Sequence, residues 1–399
     1  MAGNLSGPRH RADGAQFQHH RGLASRFPRS APQGATLKAM TMKIGIIGAS
    51  FARDAYLPAL AHVPGAEVVA IASGRIESAR ACADRFGVVH AYDDWQAMLS
   101  NHRLDLVCIA TPTNLHAPQT LGALSAGAHV LCEKPTAMNA SEARAMLDAA
   151  TRAGRLHMID HELRFNPNRA RIAQMIAEGD LGEIRHVNIT NIGSSWSDPA
   201  SRPIGDWWSD AAQGGGRLGA NGSHQVDMIR WWLGEVAWVT GAAPVMVPDR
   251  RDKVSGAPWR ATADDVAWFG LEMARGALVN VFMSGVAATN MGNHTQVFGS
   301  KGTITLSNDD ERLWFARAGQ GFEEITLSDP NADLPGLNKG IWNVSVVAAL
   351  QELCGAITEG RPLRRGATFA DGLANQLVLD SVRRSGTERR WVRPEHADA

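Results

Sequence analysis

Cysteine is scarce in this chain, with four among 399 residues, and none of the four has the paired spacing of a zinc site or a disulfide framework. Two of them, Cys108 and Cys132, fall in apolar segments that we predict to be buried strands. The cysteines are therefore expected to be small core residues of a protein in a reducing compartment. We expect a cytoplasmic protein without a metal site.

Net charge is also absent, because 40 basic residues balance 40 acidic ones. Bulk charge therefore gives no support to a nucleic acid or an anionic membrane as a partner, and we expect neither. No uninterrupted apolar run approaches the roughly 20 residues needed to cross a bilayer. With 44% hydrophobic and 20% charged residues, the composition is typical of a globular chain that is long enough for two domains.

Residues 1–41 contain a single acidic residue, Asp13. This segment is rich in Arg, His, Ser, Gly and Pro and has no apolar periodicity, so it cannot bury enough surface to order itself. A transit peptide would share the Arg-rich character, but Gly and Pro interrupt any amphipathic helix. We predict a disordered extension, with a true start at Met40 or Met42 as the alternative.

Short apolar strands alternate with helical patterns from Met42 onward, which predicts a doubly wound parallel sheet. We assign 42–162 to a dinucleotide-binding Rossmann domain. The predicted strands are 43–48, 67–72, 104–110, 128–132 and 156–160, and the helices between them include 53–62, 76–86, 94–100, 115–126 and 141–153. Ligands bind at the carboxyl ends of such strands.

The pattern changes after a predicted helix at 167–178. Alternating strands follow near 184–193, 236–247, 264–274, 276–287, 294–299, 302–308 and 311–317. Glycine turns between neighbouring strands indicate antiparallel pairing. We predict that 163–399 form an α+β domain with a large, mostly antiparallel open sheet for substrate binding and oligomerisation. A helix at 341–358 should pack back on the first domain, and the open face of the sheet should form a homodimer or homotetramer.

The segment Lys43 to Arg53, KIGIIGASFAR, has the apolar strand and first glycine of a dinucleotide-binding turn. Counted from Gly48, the second glycine of the motif is Ser50 and the third is Arg53. Serine can still let the backbone approach a phosphate, whereas a bulky arginine cannot provide the close contact between helix and strand. We assign Gly48, Ser50, Phe51 and Ala52 to the cofactor site, with a plain strand–helix joint as the alternative.

Cofactor choice depends on the end of the second strand, where an acid would bind the ribose 2′-hydroxyl and repel a 2′-phosphate. This chain has Ser73 and Arg75 there. A hydroxyl and a guanidinium suit a phosphate, which favours NADP over NAD. The alternative is that Arg75 lies on a solvated loop.

The fifth predicted strand ends in Glu133, Lys134 and Pro135. Alcohol oxidation needs a base for the hydroxyl proton, and Lys134 can serve if partial burial and the positive nicotinamide ring favour its neutral form. A surface pair of Glu133 and Lys134 is the alternative. The polar residues at this sheet edge complete the predicted cofactor site: Thr111, Pro112, Asn114, His116, Glu133 and Lys134.

These segments and their order resemble the glucose–fructose oxidoreductase and inositol dehydrogenase family, Gfo/Idh/MocA. The resemblance runs from Met42 to Pro394 and includes Leu57–Leu60, Ala110–Pro112, Ala126–Leu131, Leu163–Pro167, Gly214–Gly216 and Gly222–His224. The glycine triplet, the tryptophan pair before it and Arg361–Leu363 are most similar to the branch of glucose–fructose oxidoreductase domain-containing proteins. The resemblance implies that Lys134 is the acid–base group.

The second catalytic candidate is His224, at the start of a predicted helix whose positive end disfavours imidazolium. We expect Asp227 to hold its other nitrogen and Asn221 to contact substrate. Many family members have an aspartate four residues before this histidine, but this chain has Ala220. The departure removes a carboxylate that is usual near the reacting hydroxyl. A satisfied structural histidine is the alternative for His224.

Eight of the twelve tryptophans lie between Trp196 and Trp268. Sugars stack their C–H faces on indoles, so Trp207 and Trp208 are predicted to line the substrate pocket. Arg164, where the domains join, is predicted to contact substrate hydroxyls or else to brace the linker.

We therefore predict an NAD(P)-dependent oxidoreductase, with NADP preferred, that transfers hydride between nicotinamide and a hydroxyl or carbonyl of a sugar, cyclitol or related polyol. The alternative is a regulatory or scaffold protein that keeps nucleotide binding and has reduced catalysis. Ala220, Ser50 and Arg53 favour the alternative, whereas Lys134 and His224 favour the enzyme.

Overall fold

The computed structural model describes residues 41–307 and 310–395, which belong to one compact unit. The predicted disordered extension, residues 1–41, lies outside the described residues except for Thr41. The strands are β1 Met42–Ile47, β2 Ala66–Ala72, β3 His90–Tyr92, β4 Leu106–Ile109, β5 His129–Cys132, β6 His157–Ile159, β7 Ile184–Ile192, β8 Val236–Ala242, β9 Asp249–Arg251, β10 Pro258–Arg260, β11 Val266–Met273, β12 Leu278–Ser284, β13 Gly292–Gly299, β14 Gly302–Ser307, β15 Arg312–Arg317 and β16 Glu323–Glu324.

Capping residues explain where several helices begin and end. Asp94 and Asn139 each accept a hydrogen bond from a backbone N–H in the first turn of the helix that follows. Asn166 does the same before Pro167, and the helix that follows ends at Gly179, which has a φ of +76°. The helices are α1 Leu57–Leu60, α2 Ile76–Phe86, α3 Trp95–Asn101, α4 His116–Ser125, α5 Ala140–Ala153, α6 Pro167–Glu178, α7 Ser223–Leu233, α8 Ile341–Glu359 and α9 Phe369–Glu388.

The first sheet has six parallel strands in the order β3-β2-β1-β4-β5-β6. This order is that of the doubly wound fold that binds dinucleotides across the carboxyl ends of its central strands. The central strands are almost fully buried, as expected for strands covered by helices on both faces. The predicted Rossmann fold is therefore confirmed. β3, which has only three residues, was not predicted.

The second sheet has eight strands in the order β16-β15-β14-β13-β7-β12-β11-β8. Its pairs are antiparallel except for the parallel pair β7 and β12, which confirms the predicted, mostly antiparallel sheet. β9 and β10 form a separate two-stranded hairpin in a stretch without predicted strands. Along β11 and β12, buried residues alternate with exposed or partly exposed ones, so one face of the sheet is in the core.

Helices α7 and α9 cover the buried face of the second sheet. The opposite face exposes large apolar side chains, among them Trp268, Leu278 and Phe282. Helix α9 was not predicted, although Val378, Leu379 and Val382 lie in the core of the second sheet. Residues 41–307 and 310–395 therefore leave the large apolar side chains on this sheet face exposed.

Helix α8 packs against the first sheet, as predicted, and its buried residues share a core with Ile44 and Tyr56. Among the described residues, α8 is the one helix long and apolar enough to span a membrane by length and composition, with half of the relevant window buried. All four cysteines are unpaired and buried, as expected for core residues.

Candidate functional site

The turn after β1 requires a glycine at residue 48. Gly48 has a φ of +106°, and a Cβ on this residue would lie 2.2 Å from the carbonyl oxygen of Ala110. Any other residue would therefore push β1 away from the end of β4. The chain then enters a π-helical turn, Ala52–Tyr56. This geometry forms the tight strand–helix turn that a dinucleotide pyrophosphate needs.

Arg53 does not disturb this turn, contrary to the expectation from its size. Its guanidinium lies outside, about half exposed, and pairs with Asp54 at 2.8 Å. Ala52 and Tyr56 are fully buried instead and form the close contact with the sheet. The close contact between helix and strand that the third glycine of the motif would provide is therefore made by Ala52, and the side chain of Arg53 lies at the surface.

A cleft of about 470 Å³ lies beside this turn, between β1 and α2. Ser50, Arg53, Arg75 and Glu77 line it. Two guanidiniums and a hydroxyl suit the phosphates of a dinucleotide, whereas the Glu77 carboxylate opposes them in part. Ser73 lies at the end of β2, where its amide donates to the carbonyl oxygen of Tyr92 at 3.0 Å. Neither Arg53 nor Glu77 was predicted to line this cleft.

The segment after β4 carries the next group of predicted cofactor residues. Thr111 and Pro112 are partly exposed and Asn114 is exposed, so all three can reach a ligand at the sheet edge. His116 is buried, and its ring nitrogens face the carbonyl oxygens of Pro135 at 2.9 Å and Thr111 at 3.0 Å. His116 therefore connects the β4 and β5 loops, and its predicted contact with the cofactor stays a prediction.

Glu133 and Lys134 do not form a surface pair. Glu133 is buried and accepts a hydrogen bond from the hydroxyl of Tyr56 at 2.9 Å, which gives it a structural role, and its predicted contact with the cofactor stays a prediction. Lys134 is partly buried, and its Nζ donates to the carbonyl oxygen of Ala220 at 3.2 Å. The lysine therefore extends from the first sheet to the turn that precedes α7.

Three carboxyl groups are buried next to Lys134: Glu133, Asp160 and Glu162. Burial raises the pKa of each above its usual range, and repulsion among the carboxylates adds to the shift for Asp160 and Glu162. The positive charge of Lys134 acts in the opposite direction on all three. No local sequence pattern marks this group, because Glu133 follows β5 whereas Asp160 and Glu162 follow β6, and the three meet only in the folded sheet.

His224 is 1% exposed and lies among ionisable groups. Its Nδ1 is 3.9 Å from the Oε2 of Glu162, and its ring centre is 5.0 Å from that of Trp342. Burial, followed by the charge of Lys134, lowers the pKa of His224 well below its usual value. The imidazole is therefore neutral at physiological pH and can accept a proton or share one with a hydroxyl.

The expected contact between Asp227 and His224 is wrong. Asp227 accepts two hydrogen bonds from Arg164, at 2.8 and 2.6 Å, and Arg164 also lies 3.3 Å from Asp371. Arg164 is buried and satisfied within the protein, which favours the bracing alternative over substrate contact. The carboxyl group nearest to His224 is that of Glu162, which was not predicted.

Lys134 and His224 line one cleft of about 300 Å³. Trp208 and Asn221, both predicted to contact substrate, line it as well, whereas Trp207 stacks on Trp208 with ring centres 4.2 Å apart. The complete lining is Lys134, Trp196, Arg202, Trp208, Arg217, Ala220, Asn221, His224 and Trp342. An amine, a neutral imidazole and indole surfaces thus face the same space, which suits proton transfer on a small hydroxyl-bearing molecule.

The glycine triplet places Trp208 at this cleft. A Cβ on Gly215 would lie 2.4 Å from the carbonyl oxygen of Trp207, and one on Gly216 would lie 2.3 Å from the Asp264 carboxylate. These close approaches require glycine. Among the described residues, no group of three or more His, Cys, Asp and Glu side chains is arranged to hold a metal ion.

Comparisons with known proteins agree with this geometry. Residues 42–161 match the model of the Gfo/Idh/MocA oxidoreductase family with its NAD-binding Rossmann fold, and residues 170–305 match the C-terminal domain of the same family. Levoglucosan dehydrogenase from Pseudarthrobacter phenanthrenivorans is 27% identical over 384 residues, covering 88% of this chain and 97% of that protein. Glucose-fructose oxidoreductase domain-containing protein 2 from Xenopus laevis is 27% identical over 350 residues, covering 83% and 88%.

A solved structure of levoglucosan dehydrogenase in complex with NADH and levoglucosan has a TM-score of 0.80 at 28% identity, covering 88% of this chain and 98% of that chain. The resemblance found in the sequence is therefore confirmed over both parts of the chain. The protein belongs to the Gfo/Idh/MocA family of oxidoreductases, with an NAD-binding Rossmann domain and the reaction class of a dehydrogenase acting on CH–OH groups.

Proposed function

We propose that the protein transfers hydride between a nicotinamide dinucleotide and a CH–OH group of a sugar, cyclitol or related polyol. The observation that supports this most is the convergence of Lys134 and the neutral His224 on one cleft of about 300 Å³. Indole faces such as that of Trp208 suit the C–H surface of a sugar. The related levoglucosan dehydrogenase, whose structure contains NADH and levoglucosan, supports the same substrate class.

The residues of this chain then have distinct roles. A bound nicotinamide would accept or supply the hydride. Lys134 takes the hydroxyl proton at Nζ, and the carbonyl oxygen of Ala220 orients that Nζ by accepting its hydrogen bond. His224 accepts a hydrogen bond from the hydroxyl and polarises it, while Trp208 and Trp342 exclude water from one side.

We propose NADP as the preferred cofactor. Arg53 and Arg75 line the cleft beside Gly48, and the end of β2 carries Ser73 where an acid would repel a 2′-phosphate. Arg53 is paired with Asp54 and Glu77 lies in the same cleft, so the proposed preference depends on Arg75 and on the missing acid at residue 73. Titration calorimetry with NADP⁺ and NAD⁺ measures it directly, and equal dissociation constants would contradict it.

The proposed reaction is tested with a panel of sugars, alditols and inositols. Absorbance of the reduced nicotinamide is followed after each compound is added with NADP⁺ or NAD⁺, and the reverse reaction is tested with aldehydes and ketoses. We expect at least one compound to give turnover that disappears in Lys134→Ala. Cofactor binding without turnover on the whole panel would favour the regulatory alternative. Ala220 supports that alternative, because many family members have an aspartate at this position.

A further inference from the structure

The charge of the substrate cleft is the feature that the proposed function leaves unexplained. Lys134, Arg202 and Arg217 line the cleft, and its lining includes no carboxylate. Arg202 is neutralised by Asp206, with which it forms two hydrogen bonds at 2.6 and 2.8 Å. Arg217 differs from Arg202, because no carboxylate among the described residues forms an ion pair with it.

The structure holds the Arg217 guanidinium through neutral hydrogen-bond partners, and the carboxylates of Asp264 and Asp265 act on it only through space. One terminal nitrogen donates to the Oδ1 of Asn221 at 3.1 Å and the other to the carbonyl oxygen of Ser284 at 3.1 Å. Its Nε is buried without a hydrogen-bond partner. Its hydrogen-bond partners are all neutral, and its side chain lines the cleft, where an anion can approach it.

Glycines make the room for this side chain. A Cβ on Gly285 would lie 2.9 Å from the Nε of Arg217, and one on Gly193 would lie 3.2 Å from a terminal nitrogen. The guanidinium also lies over the ring of Trp196, with its carbon 5.3 Å from the ring centre. The arginine therefore occupies a shaped position at the ends of β7 and β12.

The neighbouring carboxylates of Asp264 and Asp265 form their hydrogen bonds with other groups. Asp264 accepts a hydrogen bond from the backbone N–H of Leu218 at 2.7 Å, and Asp265 accepts from two backbone N–H groups and pairs with Arg250. A partly buried cation without a counterion costs free energy unless an anion binds there. Ala220 is consistent with a bound anion, since an aspartate at this position would place in the cleft a carboxylate that repels an anionic substrate.

We propose that the substrate is a carboxylate-bearing sugar or polyol, such as a uronate or an aldonate, whose carboxylate binds Arg217. This inference rests on the proposed function, because it assigns the substrate class of the same cleft. The hydroxyl to be oxidised then lies toward Lys134 and His224, and the carboxylate lies at Arg217.

Matched pairs of compounds test the proposal on the intact protein with bound cofactor: D-glucuronate against D-glucose, D-galacturonate against D-galactose, and D-gluconate against D-glucitol. We expect kcat/KM to be at least about 10-fold higher for an acid than for its neutral partner. Arg217→Gln should remove this preference by raising KM for the acid about 10- to 100-fold, and Arg217→Lys should keep part of it. Added salt should raise KM for the acid alone.

Arg260→Gln is the matched control, because Arg260 is exposed and pairs with Asp249 outside the cleft. Binding is measured separately by calorimetry, so that two kinds of failure are distinguishable. Acids that bind through Arg217 without turnover would support this inference and contradict the proposed function. Turnover of neutral sugars with no preference for acids, or an Arg217→Gln variant that impairs both members of a pair equally, would overturn the inference alone. Failure of every acid to bind would overturn it as well.

Discussion

Acid should destabilise this protein through His161, which is fully buried beside the candidate site. Burial, followed by the charges of Arg164 and Lys134, lowers the pKa of His161 from 6.5 to about 4, although Asp227 acts in the opposite direction. The folded protein therefore keeps this ring neutral where the unfolded chain already binds a proton. Stability falls as the pH falls from about 6.5 toward about 4, because the unfolded state binds more protons in that window.

The size of the effect follows from the two pKa values. Between about pH 7 and pH 5, the unfolded imidazole becomes mostly protonated while the folded one does not, which costs about 2 kcal/mol. His161→Phe removes the titrating group and keeps a ring of similar shape. Its nearest polar neighbour, Asn375, keeps its hydrogen bond to the carbonyl oxygen of Ser223 at 2.7 Å.

The assay is urea unfolding of the wild type and of His161→Phe at both pH values, with the exposed His294→Phe as the control for losing one histidine. We expect the free energy of unfolding to fall about 2 kcal/mol more in the wild type than in His161→Phe. The absolute stability of the variant at neutral pH does not enter this comparison. Parallel pH profiles for wild type and His161→Phe would refute the reasoning, since they would mean that the buried ring titrates as it does in the unfolded chain.

Four further predictions concern catalysis, cofactor, assembly and specificity. Lys134→Ala should lower turnover about 10²- to 10⁴-fold with cofactor affinity within a few fold in calorimetry, and unchanged turnover would remove its role as the base. Ser73→Asp with Arg75→Ala should shift the ratio of NADP to NAD affinity toward NAD about 10-fold or more, and an unaltered ratio would contradict the phosphate assignment. Phe282→Glu should convert an oligomer to monomers in light scattering, and a wild-type monomer at micromolar concentration would dismiss the proposed interface. Ala220→Asp should lower kcat/KM for D-glucuronate relative to D-glucose, and equal changes for both sugars would argue against an anionic substrate.

The sequence predicted those parts of the fold that depend on local pattern. Strands of the first sheet are continuous apolar runs, and their order follows from strict alternation with helices. Helix α9 escaped prediction because its buried residues are interspersed with polar ones that are also buried, such as Asn375 and Gln376. Because polar side chains occupy buried positions, the helix has no simple apolar stripe that its sequence could show.

The two catalytic candidates were predicted from the sequence, whereas the buried carboxyl group near them was not. Lys134 and His224 each follow from a strand end or a helix start, and the fold brings them to the same cleft. The carboxyl group near His224 could not be predicted, because Arg164 binds both oxygens of Asp227 and leaves Glu162 as the neighbour of the imidazole at 3.9 Å. Long-range pairing of this kind leaves no periodic mark in a sequence.

The distribution of charge around Lys134 connects the buried acids with the proposed substrate. Glu133, Asp160 and Glu162 lie behind the lysine, and their raised pKa values mean that they carry less negative charge than exposed carboxyls would. At position 220, on the side facing the cleft, there is no carboxylate at all. A cleft arranged in this way does not repel an anion. The guanidinium of Arg217 in its lining can therefore attract the carboxylate of an acidic substrate to the space that Lys134 and His224 share.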